Sequence, residues 1–480
     1  GNTDQALATY RQARELQPDD FRVKQALARF YFKNRQIEDA EQQVTEILNE
    51  RPNYLPTRML KGEILVAERR FDEAVVLFAE LIKEEPRAAR PHYFKGLAHI
   101  GKGEAAAGKM DIAKTIELDP GFTQARLLLA NIYLRERTYN LAQKESEAVL
   151  AREPTNIRAM LVLGNALMHR QETGKAQKIF EDVIRMAPDN PAGYYRLGLL
   201  YVALKKDAMA LANFQKALDI NPKLMDVFTS LILVHLSKED FQTALAACDT
   251  QIQKAADSEI AGAMIYDLKG RLYLAQQKKD EAQAAYQKAL AENPHYLPPY
   301  YSLARIYMTE DKADKAIEQY EAALEKDPRQ ARSHMLLGTI YEMKGQTDRA
   351  EKHYRTALDI DPEFVPAANN LAYNLASRGE NLNEALGLAQ KAREKLPNSP
   401  NVMDTLGWVY YNKGLYDNAI GEFNDSIAKL PDNATIRYHL GLAYYKKGEN
   451  EKAKAALAKA LSLDGTFDGA EEAKRILEEL

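Results

Sequence analysis

Proline recurs in this chain at a fixed interval. Pro18, Pro52, Pro86, Pro120, Pro154, Pro188 and Pro222 each stand 34 residues apart. The series resumes at Pro294, 72 residues on. It continues through Pro328, Pro362, Pro397 and Pro431, and Gly465 takes the next slot. A period of this length along a whole chain means a stack of like supersecondary units, each burying its apolar face on its neighbours, and not one closed core.

Two further positions keep the same register. The eighth position of each unit is small, as at Ala28, Gly62, Gly96, Gly164, Gly198, Gly270, Gly338 and Gly407, and the twentieth is alanine in most units, Ala40, Ala74, Ala176, Ala282 and Ala350 among them. Large groups follow three and four residues later, such as Tyr31, Tyr201 and Tyr341, then Phe78, Phe180, Tyr286 and Tyr354. Small residues let two helices approach closely, and the rings fill what they leave. Segments such as 303–307 and 316–320 show helical spacing of apolar residues. Proline stops the second helix and biases its predecessor away from the helical region, and Asp119, Asp327 and Asp361 add turn chemistry before it. No segment sustains a period of two, so no sheet is expected. Each unit reads as helix A, a short turn, helix B and a proline-marked turn.

The set Leu337, Gly338, Tyr341, Ala350, Tyr354, Ala357 and Pro362 resembles the tetratricopeptide repeat (TPR) signature, and the match recurs thirteen times. The resemblance implies an all-α, right-handed α-solenoid superhelix. The repeats expected are 21–54, 55–88, 89–122, 123–156, 157–190 and 191–224 as a first block (21–224), a divergent repeat at 225–262, and 263–296, 297–330, 331–364, 365–399, 400–433 and 434–467 as a second (263–467). Residues 1–20 hold the second helix of a truncated repeat, so the chain is expected to be a fragment with at least one more repeat upstream. Residues 468–480 read as a C-terminal capping helix with a polar outer face. In 225–262 Ile232 takes the small position, proline is missing and four residues are added through 255–259. That is either drift in a redundant array or a change of superhelix pitch separating two lobes.

Composition excludes several functions. Lys and Arg number 65 against 69 Asp and Glu, a net charge of −4 over 480 residues; residues 51–200 carry about +4 and 201–480 about −6. Neither block suggests a nucleic-acid partner. The single cysteine, Cys248, rules out an intrachain disulfide and a Cys-based metal site, and it reads as a small buried hydrophobe. No apolar run reaches a membrane span. Residues 103–109 fit GxxxxGK, but a phosphate loop needs a preceding strand and a Ser or Thr after the lysine, where Met110 stands. Of the eight histidines, His92 and His99 share a helix face two turns apart without a third ligand. All eight read as surface or groove residues. No pair of carboxylates converges, so no catalytic residue, cofactor or metal is expected.

What remains is surface. In TPR proteins the inner face is lined mainly by positions two, five, nine and twelve of helix A. Here these give Leu127, Asn131, Leu161, Asn165, Tyr195 and Leu199, then Asp267, Arg271, Tyr301 and Arg305, and finally Asn369, Tyr373, Asp404, Trp408, Tyr411, Tyr438 and Tyr445. Aromatics with interspersed Asn, Asp and Arg suit a protein interface. The expected partner-binding groove is Tyr301, Arg305 and the C-terminal set, with Trp408 facing inward and dispensable for the fold. The Lys and Asn clamp by which some TPR co-chaperones hold a C-terminal carboxylate is absent, since Met335 and Thr339 stand where it would need Lys and Asn.

The stretches 369–376, 383–385 and 404–411 resemble long bacterial TPR scaffolds, some encoded with surface-sorting and exopolysaccharide export systems. The resemblance implies a non-enzymatic scaffold that binds protein or peptide segments, within a bacterial envelope assembly, periplasmic or outer-membrane-associated, or in the cytoplasm. The alternatives are an accessory region of a larger glycosyltransferase or outer-membrane barrel protein, and direct carbohydrate binding by the aromatic groove.

Overall fold

The structure, a computed structural model, describes residues 2–254 and 257–480. Gly1, where the expected half-repeat begins, and Ala255 and Ala256, in the expected extension of the seventh repeat, lie outside the described residues. Among the described residues there are 28 helices and no strand. The chain divides into two compact units, Gly1–Ser237 and Lys238–Leu480. The division falls inside 225–262, between the helices Met225–Ser237 and Phe241–Lys254. Each unit is an all-α solenoid of stacked helix pairs.

The local physics of one repeat explains all of them. Helix Ala313–Lys326 ends at Asp327, which is extended (φ −144°, ψ 99°), the conformation that the following proline favours. The Asp327 carboxylate then accepts from Arg329 N at 3.0 Å, closing the turn. Asp119 and Asp361 do the same for Gly121 N and Glu363 N.

The turn between helices A and B has a regularity that composition hides. Its fifteenth repeat position is left-handed throughout, with φ between 56° and 86° at Arg35, Arg69, Gly103, Arg137, Gln171, Lys205, Glu239, Gln277, Asp311, Gly345, Gly379, Gly414 and Gly448. Only five of these are glycine, so the backbone path is imposed by helix packing, against a cost of about 1–2 kcal/mol at each of the others. The extra residue in the turn of 365–399 is taken up by a second left-handed residue, Asn381.

Helix pairs close through a volume match between positions eight and twenty-four. A Cβ built on Gly198, Gly338 or Gly407 would stand 2.5–2.6 Å from a ring atom of Phe214, Tyr354 or Phe423. Gly62, Gly164 and Gly270 face Phe78, Phe180 and Tyr286 in the same way. Where position eight is alanine the partner shrinks in some repeats, as in Ala28 with Val44 and Ala130 with Ser146. The divergent repeat exchanges sizes in its sequence too, holding Ile232 and Cys248. In 89–122 both small positions are glycine, and a Cβ on Gly108 would lie 2.9 Å from the Gly96 carbonyl oxygen. The glycines of this repeat therefore permit a close backbone approach.

The C-terminal helix, Ala470–Glu479, buries Ala470, Ala473 and Ile476 and leaves Glu471, Lys474 and Glu478 exposed.

Candidate functional site

Helix A of each repeat presents its positions five, nine and twelve in rows, because consecutive repeats place these helices side by side. In the second unit the rows run from the helix Glu259–Ala275 to Ala470–Glu479.

Trp408, on the helix Pro400–Asn412, is the hub of the C-terminal rows. Its ring stacks on His439 (centroids 4.4 Å apart), Tyr411 (5.1 Å) and Tyr373 (6.2 Å). Its Nε1 donates to Ser377 Oγ at 2.9 Å. The indole packs against three hydrophobic clusters, around Leu371 and Leu375, around Tyr438 and Phe467, and around Phe423 and Leu440. Trp408 was expected to be dispensable for the fold; it is a keystone between three patches of core.

Tyr438 was expected to line an open groove and is instead 6% exposed. Its ring packs on Phe467, and its hydroxyl donates to Glu472 Oε2 at 2.5 Å. Burial and the Glu472 carboxylate push its ionisation well up. Tyr445 is half-buried and donates to Glu479 Oε2 at 2.9 Å. Both hydroxyls are thus committed to the capping helix. Tyr411 stays half-buried, and burial, with the Glu472 charge, pushes its phenol up to about 12.

Asp404 accepts from His439 Nδ1 at 2.9 Å. His439 is buried between this carboxylate and the Trp408 ring, which corrects its reading as a surface or groove residue. His92 and His235 are buried as well. The sixth repeat position of His439 lies off the rows that sequence reasoning followed, which is why its role was missed.

Asn369 and Tyr373, on the helix Val365–Arg378, are half-buried. Asn369 Oδ1 is buried with no hydrogen-bond donor, while its amide nitrogen donates to Asn370 Oδ1 at 3.4 Å. Burial, then the Asp404 charge, raise the Tyr373 phenol. Tyr301 and Arg305 lie two repeats earlier. Tyr301 shares a hydrogen bond with Ser333 at 2.7 Å under the Arg332 guanidinium, and Arg305 is exposed. Tyr301 and Trp408 both flank the continuous core of 304–409, so the expected set lies within one unit.

The remaining candidates are engaged in structure. Lys109, of the GxxxxGK stretch, pairs with Glu136 at 2.7 Å. Cys248 is fully buried, and burial pushes its thiol up to about 12, so thiolate chemistry is suppressed. Asp111 lies 3.6 Å from both His92 Nδ1 and His99 Nε2, a convergence that the i, i+7 spacing alone did not reveal. Lys95 occupies the same carboxylate at 3.3 Å. Among the described residues no group of three or more His, Cys, Asp or Glu could hold a metal ion, and no helix is long and apolar enough to cross a membrane.

Tetratricopeptide repeat models match residues 1–64, 59–121, 133–198, 191–224, 264–296, 301–363 and 434–467, and a TPR repeat model matches 407–448. Together they take in more than half of the chain. The chain belongs to the tetratricopeptide repeat family. As a TPR protein it is a protein-interaction scaffold, in a family that is generally non-enzymatic. Among curated proteins it is similar to Hsp70-Hsp90 organizing protein 3 of Arabidopsis thaliana, 28% identical over 126 residues, and to Hsp70-Hsp90 organizing protein of Triticum aestivum, 27% identical over 96 residues. These matches span 25% and 20% of this chain and only 22% and 16% of those proteins. Solved structures with a likeness to this TPR chain include the APC/C hetero-tetramer Cut9-Hcn1, at 16% identity and a TM-score of 0.45 over 99% of this chain and 93% of that one. YrrB, described as a TPR protein with an unusual peptide-binding site, is 26% identical over 40% of this chain and 99% of its own, with a TM-score of 0.33. A tetratricopeptide repeat protein from Parabacteroides merdae is 18% identical over 53% of this chain and 97% of its own, with a TM-score of 0.39.

Proposed function

We propose that this TPR chain is a non-enzymatic scaffold whose helix-A face at residues 365–446 docks a segment of a partner protein. The observation that carries the reading is Asn369. A buried amide oxygen without a donor costs about 1–3 kcal/mol, and here it stands one helical turn from the half-exposed Tyr373. Reorientation of the Asn369 amide on docking would let this oxygen accept from a main-chain N–H of an extended ligand, while Tyr373 and Tyr411 supply rigid apolar area at low entropic cost. Arg305 and Tyr301 extend the same face upstream. Tyr438 and Trp408 hold the surface in shape from beneath it.

The finer setting belongs to the same proposal: a partner within a bacterial envelope or exopolysaccharide export assembly, with the chain periplasmic or outer-membrane-associated. The resemblance of 369–376 and 404–411 to bacterial scaffolds supports it.

Peptides selected from a random display library on the purified chain test the docking site. The expected result is a set of binders whose affinity falls about tenfold or more on Asn369→Ala or Tyr373→Ala, with helical content unchanged, the size of an interface hot spot. Selected peptides that bind both variants undiminished would place the docking face elsewhere.

A further inference from the structure

Within the first unit, charge in the repeats of 21–224 is sorted by helix. The six A helices from Phe21–Lys33 to Pro191–Ala203 carry twelve Lys and Arg against one carboxylate, Glu63. The six B helices from Ile37–Glu50 to Asp207–Ile220 carry seventeen carboxylates against eight Lys and Arg. A linear count averages the two layers and hides the field. Part of it is neutralised between the layers, by Lys24 with Glu50, Arg58 with Glu80 and Glu84, and Arg126 with Glu145. Arg158 and Arg196 have no carboxylate partner among the described residues.

Those two arginines flank a groove of about 430 Å³ between the A helices Thr123–Arg135, Ile157–His169 and Pro191–Ala203. Its floor includes Leu127, Leu128, Leu161 and Val162, of which the three leucines are half-exposed. Asn165 lines it with a buried Oδ1 that has no donor. No Asp or Glu lines it.

We propose that this groove takes an acidic peptide segment, with its apolar side chains on the leucine floor and flanking carboxylates on Arg158 and Arg196. The inference rests on the scaffold reading but concerns different residues in a different unit. Complementary charge selects the partner's sign and speeds encounter, while the apolar floor holds it. A single-stranded nucleic acid fits less well, because it needs free aromatic faces for its bases. The Tyr93 ring is taken up by Phe94 and Phe122, and Arg196 lies over Tyr195.

The test uses the full chain and four labelled probes. They are a terminally blocked dodecapeptide with a leucine centre and Asp and Glu flanks, its lysine-flanked counterpart, its serine-centred acidic counterpart, and an oligouridylate. Fluorescence anisotropy should show binding of the acidic leucine peptide alone, weakening as salt rises. Arg158→Glu combined with Arg196→Glu should weaken it about tenfold or more. Leu161→Ser should weaken it also, and Asn369→Ala should leave it unchanged. Circular dichroism checks that each variant is folded, and the arginine pair, exposed at Arg158 and half-exposed at Arg196 with no ion pair among the described residues to break, remains decisive if Leu161→Ser is not. Equal binding of the lysine-flanked or serine-centred peptide, preference for the oligouridylate, indifference to the double charge reversal, or no peptide binding would each overturn the inference. Loss on Asn369→Ala alone would move the peptide to the second unit, overturning this groove while leaving the scaffold reading in place.

Discussion

Replacing Gly338 with leucine should weaken the array at one repeat and leave distant repeats untouched. The new Cβ alone would stand 2.5 Å from Tyr354 Cε1 and 2.7 Å from Cδ1, before its three outer carbons are placed. The Tyr354 ring has little room to yield. It is fully buried, and its hydroxyl donates to Glu342 Oε2 at 2.8 Å. Overpacking costs about 1–3 kcal/mol. Swinging the ring also endangers a hydrogen bond to a charged acceptor, worth about 1.5–3 kcal/mol. Leucine returns about 0.8 kcal/mol of helix propensity over glycine. The net loss is about 2–5 kcal/mol. Gly387, inside the helix Leu382–Lys395, would have nothing within 4 Å of an added Cβ, so Gly387→Leu keeps only the propensity gain of about 0.8 kcal/mol. Adding Tyr354→Ala to Gly338→Leu should recover about 1–2 kcal/mol relative to the sum of the single changes, because the two share one space. Hydrogen exchange resolved by peptide is the assay, since repeats couple only to neighbours and a single unfolding free energy is ill-defined. Protection should fall mainly within 297–399. Equal effects of Gly338→Leu and Gly387→Leu, or an even loss along the chain, would refute the volume match.

Trp408→Ala should cost about 2–4 kcal/mol of local stability, since the half-buried indole joins three clusters; unchanged exchange protection across 365–446 would show that it holds nothing together. Gln171→Gly should stabilise by about 1 kcal/mol by relieving a left-handed non-glycine residue (φ 63°) whose side chain is exposed. A lower thermal midpoint than the parent's would contradict that. His353 is hydrogen-bonded to His334 through their Nδ1 atoms at 3.1 Å, and burial first, then the His334 charge, bring it down to about 4. Its folded-state value lies below the unfolded 6.5, so the folded chain binds fewer protons between these limits. Stability at this repeat should be full above pH 6.5 and decline as pH falls towards 4. Proton NMR of the imidazole should give a midpoint near 4, and one near 6.5 would remove the effect.

The fold was legible because it is written thirteen times. One Gly338 or one Pro362 says little, but the same residue types at a constant spacing fix helix pairs, their turns and their stacking. The left-handed fifteenth position was legible only where glycine holds it, since Arg69, Gln171 and Lys205 bear no mark of it in their side chains. Only the crossing of helices A and B forces that backbone.

The candidate site divides in the same way. The sequence by itself determined which residues sit on the rows of helix A, because helical periodicity assigns faces without reference to neighbours. The tertiary structure decided which of them remain available. Tyr438 and Tyr445 read as open aromatics until the last helix lay beside them and took their hydroxyls on Glu472 and Glu479. Asn369 kept a buried oxygen without a donor. The A-helix field behind Arg158 and Arg196 emerged only when folding separated two layers that alternate along the chain. Periodicity is a property of one segment, whereas exposure, pairing and field are properties of the segments packed around it.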